Sequence, residues 1–326
     1  MKGWFLNDRR PHSLARAASV VALAFLWLAP ALGHANDPPS RHVLLIGVDG
    51  CRPDALQAAK TPHLDKLAAD GLVSLNTSIL GPRPTTNDTI SGPGWSSIFT
   101  GVWSDKHGVL DNSFKGSNYD DFPHFFARIK EIHPEAVTGS FSDWGPIAEN
   151  IVSAATVKES PTPGKEGGAD GYRVGDSEVT REAVKFLKSH DPLATCVYLG
   201  QIDETGHAKG FHPSVPEYIA AIERVDAHIG EILMAVAARP NIKNEEWLVI
   251  VTTDHGGEGT GHGDGHHNPD IRQVFLIVSG PHLDQTDAAR QTYIVDGVAT
   301  ALTWLNIPLD PAWKIDGTPF GLKPIK

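Results

Sequence analysis

Short apolar runs recur along the chain, and three of them stop directly before an aspartate. These three runs are His42–Val48, Ala194–Ile202 and Trp247–Thr253, and a fourth, Val274–Ser279, follows later. Continuous runs rich in Val, Ile and Leu are typical of strands that are buried on both faces of a sheet. The pattern therefore predicts four core strands, with weaker strands at Leu72–Leu80 and Ala136–Phe141.

Helical periodicity fills the segments between these runs. Pro216–Ala238 is the clearest case, because its apolar residues recur every three or four positions and form one face. Further helices are predicted at Thr61–Gly71, Ser91–Gly101, Phe122–Ile132, Ser177–Ser189 and Tyr293–Leu305. Strands that alternate with helices predict an α/β fold, a three-layer α/β/α sandwich with a central, mostly parallel sheet.

No linker or internal repeat divides the chain after its N-terminal region. Residues 36–326 are therefore expected to form a single domain. The Pro-, Gly- and charge-rich segment Ser153–Arg173 is expected to be a surface excursion that could cover the functional site.

The N-terminus predicts a secretory signal peptide over residues 1–35. Basic residues precede the apolar stretch Ala18–Leu32, and Gly33–Ala35 offers small residues for cleavage. The apolar stretch is shorter than the ~20 residues that a membrane span needs. We therefore expect a periplasmic or secreted protein with no stable membrane anchor after cleavage.

Charge and cysteine content narrow the possible partners. The chain has 326 residues and a formal net charge of −11, and loss of the basic N-terminus would make it more acidic. Such a surface disfavours nucleic acid and anionic membrane as partners. Cys51 and Cys196 are the only cysteines, and their places in two different strand regions favour free thiols over a disulfide.

The chemistry-bearing residues stand where predicted strands end. Asp49, Asp203 and Asp254 each follow an apolar run, and imidazoles follow closely at His207 and His255. A parallel sheet brings such strand ends to one edge, and carboxylate oxygen with imidazole nitrogen suits Zn²⁺. A single strand-end aspartate is more often a helix cap, but the three together favour a metallohydrolase. Ser91, at the start of a predicted helix, adds an N-terminus that attracts anions.

Six short motifs in this order resemble the alkaline phosphatase superfamily, and within it the type I phosphodiesterase/nucleotide pyrophosphatase branch. They are Asp49–Asp54, Thr61–Asp65, Ser91 before a short helix, His107-Gly108, Asp203-x-x-Gly-His207 and Asp254-His-Gly256. The resemblance extends over about residues 42–321. It implies an enzyme that hydrolyses a small-molecule phosphate ester with two zinc ions ~4 Å apart.

The resemblance also implies roles for individual residues. One zinc ion would be held by Asp49, Asp254, His255 and the hydroxyl of Ser91, which would be the nucleophile and carry a phospho-serine intermediate. Asp203, His207 and a later histidine would hold the second ion. His262 is slightly favoured as that last ligand, and His267 remains the alternative.

Departures from the family pattern limit what can be said about substrate. The nucleotide pyrophosphatase branch usually has Asn three residues after its nucleophile, and this chain has Gly94 there. Backbone groups near Gly94, or a side chain such as Arg52, would then have to bind phosphate. The x-Pro-x-Arg motif of formylglycine sulfatases is also absent after Ser91. A phosphodiester or pyrophosphate is the first choice of substrate; a phosphomonoesterase or a non-catalytic zinc-binding relative is the alternative.

Overall fold

A single mixed sheet organises the computed structural model, which describes residues 39–162 and 167–322. The strands are β1 (Ser40–Val48), β2 (Leu72–Ser78), β3 (Thr138–Ser142), β4 (Val157–Glu159), β5 (Ala194–Leu199), β6 (Glu245–Thr252) and β7 (Gln273–Ser279). Their spatial order is β2-β7-β6-β1-β5-β3-β4. All neighbouring pairs are parallel except those made by β7, which is antiparallel to both β6 and β2. The sheet is therefore mostly parallel, as the sequence predicts.

Ten helices surround this sheet in the described part of the chain. They are α1 (Pro53–Ala58), α2 (Pro62–Asp70), α3 (Ser91–Thr100), α4 (Ser104–His107), α5 (Phe125–Ile132), α6 (Gly168–Ser189), α7 (Gln201–Lys209), α8 (Pro216–Ala237), α9 (Pro269–Arg272) and α10 (Asp296–Trp304). A π-helical turn spans Ile147–Ile151, and 3-10 turns span Ile242–Asn244, Gly265–His267, Gln285–Ala289 and Pro311–Trp313. None of the described helices combines the length and apolar character needed to cross a bilayer.

Alternate residues of the central strands enter two separate cores. In β1, Val43 and Leu45 pack with residues of α3, α5 and α10, whereas Leu44 and Ile46 pack with residues of α2, α6 and α8. Successive side chains of a strand point to opposite faces, so each face of the sheet carries one layer of helices. This confirms the three-layer α/β/α sandwich.

The largest differences from the prediction concern β5, α6 and β4. The strand predicted to run to Ile202 ends at Leu199, and Asp203 lies in the first turn of α7. Helix α6 starts at Gly168 rather than Ser177, and β4 pairs with β3 inside the predicted excursion. Glycines at the start of α6 obscured its helical periodicity.

The predicted signal peptide lies outside the described residues, as do residues 163–166 of the predicted excursion. Cys51 and Cys196 are both buried free thiols.

Candidate metal centre

The first cluster of potential ligands consists of Asp49, Asp254 and His255, at the ends of two neighbouring parallel strands. Gly47 of β1 is aligned with Thr252 of β6, so the residues that follow each strand emerge side by side. The Nε2 atom of His255 lies 3.4 Å from Asp49 Oδ1 and 3.3 Å from Asp254 Oδ2. All three residues are at most 1% exposed.

The second cluster consists of Asp203, His207 and His262. Asp203 and His207 are four residues apart on α7 and therefore share one face of that helix, with His207 Nε2 3.3 Å from Asp203 Oδ2. His262 comes from the loop after β6, and its Nε2 lies 3.0 Å from His207 Nε2 and 3.6 Å from Asp203 Oδ1. Within each cluster the potential ligand atoms lie within 4.8 Å of one another.

The two clusters are adjacent. The rings of His255 and His262 stack with their centroids 3.7 Å apart. Gly50 follows Asp49 of the first cluster and packs against Asp203 of the second. It has a φ of +66°, and a Cβ there would lie only 2.6 Å from Asp203 Oδ1. Glycine is therefore required at position 50 by both backbone conformation and space. Together the clusters form one centre at the carboxyl edge of the sheet.

The three histidines are oriented in the same way. Each places Nδ1 at 2.9 Å from a backbone carbonyl oxygen, and the carbonyl groups belong to Thr260 for His207, Gly256 for His255 and Thr89 for His262. An Nδ1–H group that donates to a carbonyl leaves the Nε2 lone pair facing the carboxylates. This is the arrangement by which proteins fix the tautomer of metal-binding histidines.

Four buried ligand atoms have no hydrogen-bond partner. They are Asp49 Oδ1, Asp203 Oδ1, Asp254 Oδ2 and His255 Nε2. An unpaired buried acceptor costs ~1–3 kcal/mol, and more when it is charged. Because all four converge on the centre, a bound cation is the partner that would satisfy them. Carboxylate oxygens with imidazole nitrogens fit Zn²⁺ or a similar divalent ion.

Asp49 is aimed by two buried aromatic residues. Its Oδ2 atom accepts hydrogen bonds from Trp95 Nε1 at 2.9 Å and from the Tyr198 hydroxyl at 2.5 Å, which leaves Oδ1 free for a metal. Trp95 reaches the strand because β1 has Gly47, where a Cβ would lie 2.2 Å from the indole ring. Trp95 is thus fully buried and holds the carboxylate of Asp49 in place.

Crowded negative charge determines the electrostatics of the centre. Burial, with added repulsion from nearby carboxylates, raises the pKa of Asp49 and raises that of Asp254 well above its ordinary value. The hydrogen bond with Asp203 raises the pKa of His207 to about 9. Burial opposes ionisation of Asp203, but the neighbouring histidines, with His207 foremost, hold its pKa below the ordinary value. A divalent cation would favour the ionised carboxylates and the neutral histidines.

Ser91 is the first residue of α3 and is 8% exposed. It lies one turn before Trp95, hence on the same side of the helix. Gly94 packs beside the first cluster, since a Cβ there would lie 2.8 Å from Asp254 Cβ. This packing holds the N-terminus of α3, with Ser91, beside the metal centre.

Gly94 and Arg52, the expected substrate-binding residues, make other contacts in the structure. The N–H group of Gly94 donates to Ile90 O within the helix. The Arg52 guanidinium pairs with Asp54 at 2.7 Å and Asp270 at 3.1 Å, and it also donates to the carbonyl groups of Phe211 and Gly257. Arg52 therefore braces the loops behind the centre instead of facing phosphate.

His267 is exposed and belongs to neither cluster. Its neighbour His266 contacts Asn87 O at 2.7 Å through Nε2. Of the two alternatives for the last ligand, the structure brings His262 to the centre.

Sequence reasoning missed Asn112. Its Oδ1 accepts the Gly92 N–H at 2.6 Å, so the amide is anchored at the start of α3 and its NH₂ group is left to donate. Asn112 lies in an exposed loop with no local motif around it. Only its place in the fold reveals it.

A third group of potential ligands, His42, Asp191 and Glu245, already has a cation. Arg239 pairs with Asp191 at 2.7 Å and with Glu245 at 2.6 Å. None of its three members has an unsatisfied buried atom. A metal ion is therefore not needed there.

Comparison with known proteins agrees with the geometry of the centre. Residues 43–159 and 173–277 match the model of the type I phosphodiesterase/nucleotide pyrophosphatase family. The chain belongs to this family. The family description gives the reaction class, and the two clusters supply residues that could hold a metal ion.

Curated relatives include the bis(5'-adenosyl)-triphosphatase ENPP4 of Bos taurus. It is 26% identical over 69% of this chain and 49% of its own length. The human ectonucleotide pyrophosphatase/phosphodiesterase family member 7 is 26% identical over 72% of this chain and 52% of its own length. The chain thus spans about half the length of these relatives.

Solved structures share the alkaline phosphatase-like fold. Murine ectonucleotide pyrophosphatase/phosphodiesterase 5, in an inactive form with AMP, has a TM-score of 0.60 with 17% identity over 82% of this chain and 96% of its own. A 2-O GAG sulfatase has a TM-score of 0.65 with 14% identity over 87% of this chain and 73% of its own.

Proposed function

We propose that this protein is an exported, zinc-dependent phosphoesterase that hydrolyses phosphodiester or pyrophosphate bonds through a phospho-serine intermediate on Ser91. The observation that supports it most strongly is the set of four unsatisfied ligand atoms in two adjacent clusters. Family membership gives the reaction class, and the helix that begins with Ser91 gives the nucleophile.

Each cluster of the centre would hold one zinc ion. Asp49, Asp254 and His255, with the Ser91 hydroxyl, would hold one zinc ion, and Asp203, His207 and His262 would hold the other. When bound, the two ions lower the pKa of an attacking oxygen and stabilise charge on the leaving oxygen. Trp95 and Tyr198 keep Asp49 aimed, and the backbone carbonyls keep each Nε2 available.

Ser91 would attack phosphorus through Oγ, and the leaving alcohol or phosphate would depart from the opposite side. Water would then cleave the Ser91–phosphate bond and regenerate the hydroxyl. Most backbone donors in the first turn of α3 are already used: Gly92 N–H bonds to Asn112, Gly94 N–H bonds to Ile90, and Pro93 has none. The Asn112 NH₂ group is thus the side-chain donor best placed to bind a non-bridging phosphate oxygen.

A phosphodiester fits the centre better than a phosphomonoester does. A monoester carries an additional negative charge, which a basic side chain near Ser91 would have to offset. Arg52, the expected basic residue, is paired with Asp54 and Asp270 instead, whereas Asn112 offers a neutral donor. The phosphomonoesterase therefore stays the second choice, and a non-catalytic relative would be expected to lack a nucleophile or ligand.

Hydrolysis of three matched nitrophenyl compounds tests the proposal: a phosphodiester, the phosphomonoester and the sulfate. We expect the zinc-loaded protein to prefer the diester, and a chelator or Ser91→Ala to abolish turnover. Ser177→Ala, which removes an exposed hydroxyl on α6, should retain full activity. A fully metallated protein that turns over none of the three compounds would contradict the proposal.

Export rests on the predicted signal peptide alone. Fractionation of cells that express the full chain should recover a product shortened by residues 1–35 outside the cytoplasm. A full-length product retained in the cytoplasm would contradict this part of the proposal.

A further inference from the structure

Two more buried carboxyl groups lie beside the metal centre but belong to neither cluster. Asp143 directly follows β3 and Asp176 lies within α6, and they are 1% and 0% exposed. No N–H group and no hydroxyl group donates to either oxygen of Asp143 or to Oδ2 of Asp176. Two carboxyl groups buried against each other coexist when they share one proton. Burial raises the pKa of both groups, that of Asp176 to about 7.

The remaining oxygen of Asp176 holds the start of another helix. Asp176 Oδ1 accepts the Gly200 N–H at 2.9 Å. Gly200 directly precedes Gln201, the first residue of α7. The N-cap position of α7 is Gly200, which has no side chain to cap the helix itself. Asp176 therefore accepts, from α6, one of the N–H groups that are left unpaired at the N-terminus of α7.

Asp143 in turn is confined between two glycines. A Cβ at Gly175 would lie 2.5 Å from Asp143 Oδ2, and one at Gly200 would lie 3.2 Å from Asp143 Oδ1. The end of β3, the middle of α6 and the start of α7 therefore meet without spare room. A protonated Asp143 carboxyl would donate to Asp176 and fix the direction of that carboxylate.

Helix α7 connects this carboxyl pair to the second cluster. Asp203 and His207 lie on α7 within its first two turns, so their positions follow the position of its N-terminus. The first cluster comes from the ends of β1 and β6 and takes no ligand from α7. A substitution in the carboxyl pair should therefore affect metal binding at the second cluster and leave the first cluster unchanged.

We propose that Asp176, through its hydrogen bond to the Gly200 N–H, positions α7 and thereby sets the affinity of the second cluster for its metal ion. This inference rests on the two-metal centre of the proposed function. Asp176 is a positioning residue, since it touches neither cluster directly.

Asp226 provides a matched control for the contact between Asp176 and the start of α7. Asp226 of α8 is likewise 1% exposed and accepts the N–H groups of Leu64 at 2.8 Å and His63 at 3.3 Å. Like Asp176, it thus accepts N–H groups at the start of a helix, here α2, from a neighbouring helix. No member of either cluster lies on α2, so loss of Asp226 should cost stability without affecting metal binding.

The test is zinc binding by the full chain, measured as retained zinc per chain during titration with a competing chelator. The wild type should hold two ions. Asp176→Ala should bind one of the two ions at least tenfold more weakly and the other with unchanged affinity. Asp226→Ala should bind both ions as tightly as the wild type does. Asp143→Asn should also bind both normally, because its amide NH₂ can replace the donated proton.

Two results would overturn the inference: Asp176→Ala holding both ions as tightly as Asp226→Ala, or losing both equally. If Asp176→Ala does not fold, the isosteric Asp176→Asn should show the same selective loss to a smaller extent, and normal binding of both ions by this variant would overturn the inference. A wild-type protein that binds fewer than two zinc ions would count against the proposed function itself, and this is measured before any variant.

Discussion

At the scale of single residues, the histidines define the centre more sharply than the aspartates do. Many strand-end aspartates only cap helices. His207, His255 and His262 share a more specific arrangement, because each gives Nδ1 to a carbonyl group and turns Nε2 to a carboxylate. This common geometry separates ligands from bystanders such as His266 and His267.

We therefore predict opposite outcomes for His262→Ala and His267→Ala. Loss of His262 removes a ligand and should lower the affinity of the second cluster for zinc by more than ~100-fold. Residues that merely orient a ligand change metal affinity by up to about that factor. Loss of the exposed His267 should change zinc affinity and turnover less than twofold. Equal effects of the two substitutions on zinc stoichiometry would reject this assignment.

Zinc binding at the second cluster should also depend on pH. His207 has its pKa raised to about 9 in the metal-free centre, so below pH 9 the ion must displace a proton. Apparent affinity should then fall by up to tenfold for each pH unit between 9 and 7. His262, whose burial lowers its pKa to about 3, adds no such dependence in this range.

Calorimetry in two buffers of different ionisation enthalpy measures this proton directly. About one proton should be released per ion bound at the second cluster at pH 7. Affinity that stays constant between pH 7 and 9 would show that His207 is not protonated in the metal-free centre.

At the scale of elements, the strands were predicted well because each carries its own pattern. The apolar runs before Asp49 and Asp254 correspond to β1 and β6, whose continuous burial needs no knowledge of the rest of the chain. Residue contacts across the sequence were not predictable in this way. No sequence signal near Arg52 indicates that it pairs with Asp270, and none near Asn112 indicates that it bonds to Gly92.

Helix α7 shows a second limit. The run Ala194–Ile202 looks like one strand, yet the chain turns at Gly200. The acceptor for the Gly200 N–H, where the helix starts, is Asp176 from a different element. A helix whose first N–H groups are satisfied from elsewhere in the fold has no start signal in its own sequence.

Contact between α3 and β1 gives a prediction at this scale. Gly47→Ala would place a methyl group 2.2 Å from the Trp95 ring and should lower the free energy of unfolding by ~1–3 kcal/mol through overpacking. Zinc affinity of the first cluster should fall as well, because Trp95 orients Asp49. Denaturant unfolding and chelator titration measure the two effects.

Gly297→Ala is the matched control. Gly297 lies within α10, and its Cβ would meet only Ile250 Cγ2 at an ordinary 3.8 Å. Because alanine favours the helix by ~1 kcal/mol over glycine, this change should leave stability unchanged or raise it. A loss at position 297 equal to that at position 47 would mean that contact with Trp95 is not the cause.

At the scale of the whole molecule, the fold class followed from the order of strands and helices, and the location of the centre followed from the rule that parallel strands present ligands at their carboxyl ends. Both could be inferred from sequence because they depend on pattern rather than on particular contacts. The division into two clusters came from the resemblance to the family. The choice between His262 and His267 needed the path of the loop after β6, which no periodic pattern specifies.

The central position of β1 has a consequence for how the protein is made. This first strand pairs with β5 on one side and β6 on the other, and Gly50 bonds to Asp254, 204 residues later. During synthesis, β1 must therefore wait for most of the chain to leave the ribosome before it can be enclosed. An amino-terminal fragment that stops before β6 contains only part of each ligand set. Partial translation products that stop before β6 would therefore lack a complete metal centre and, with it, the proposed hydrolytic activity.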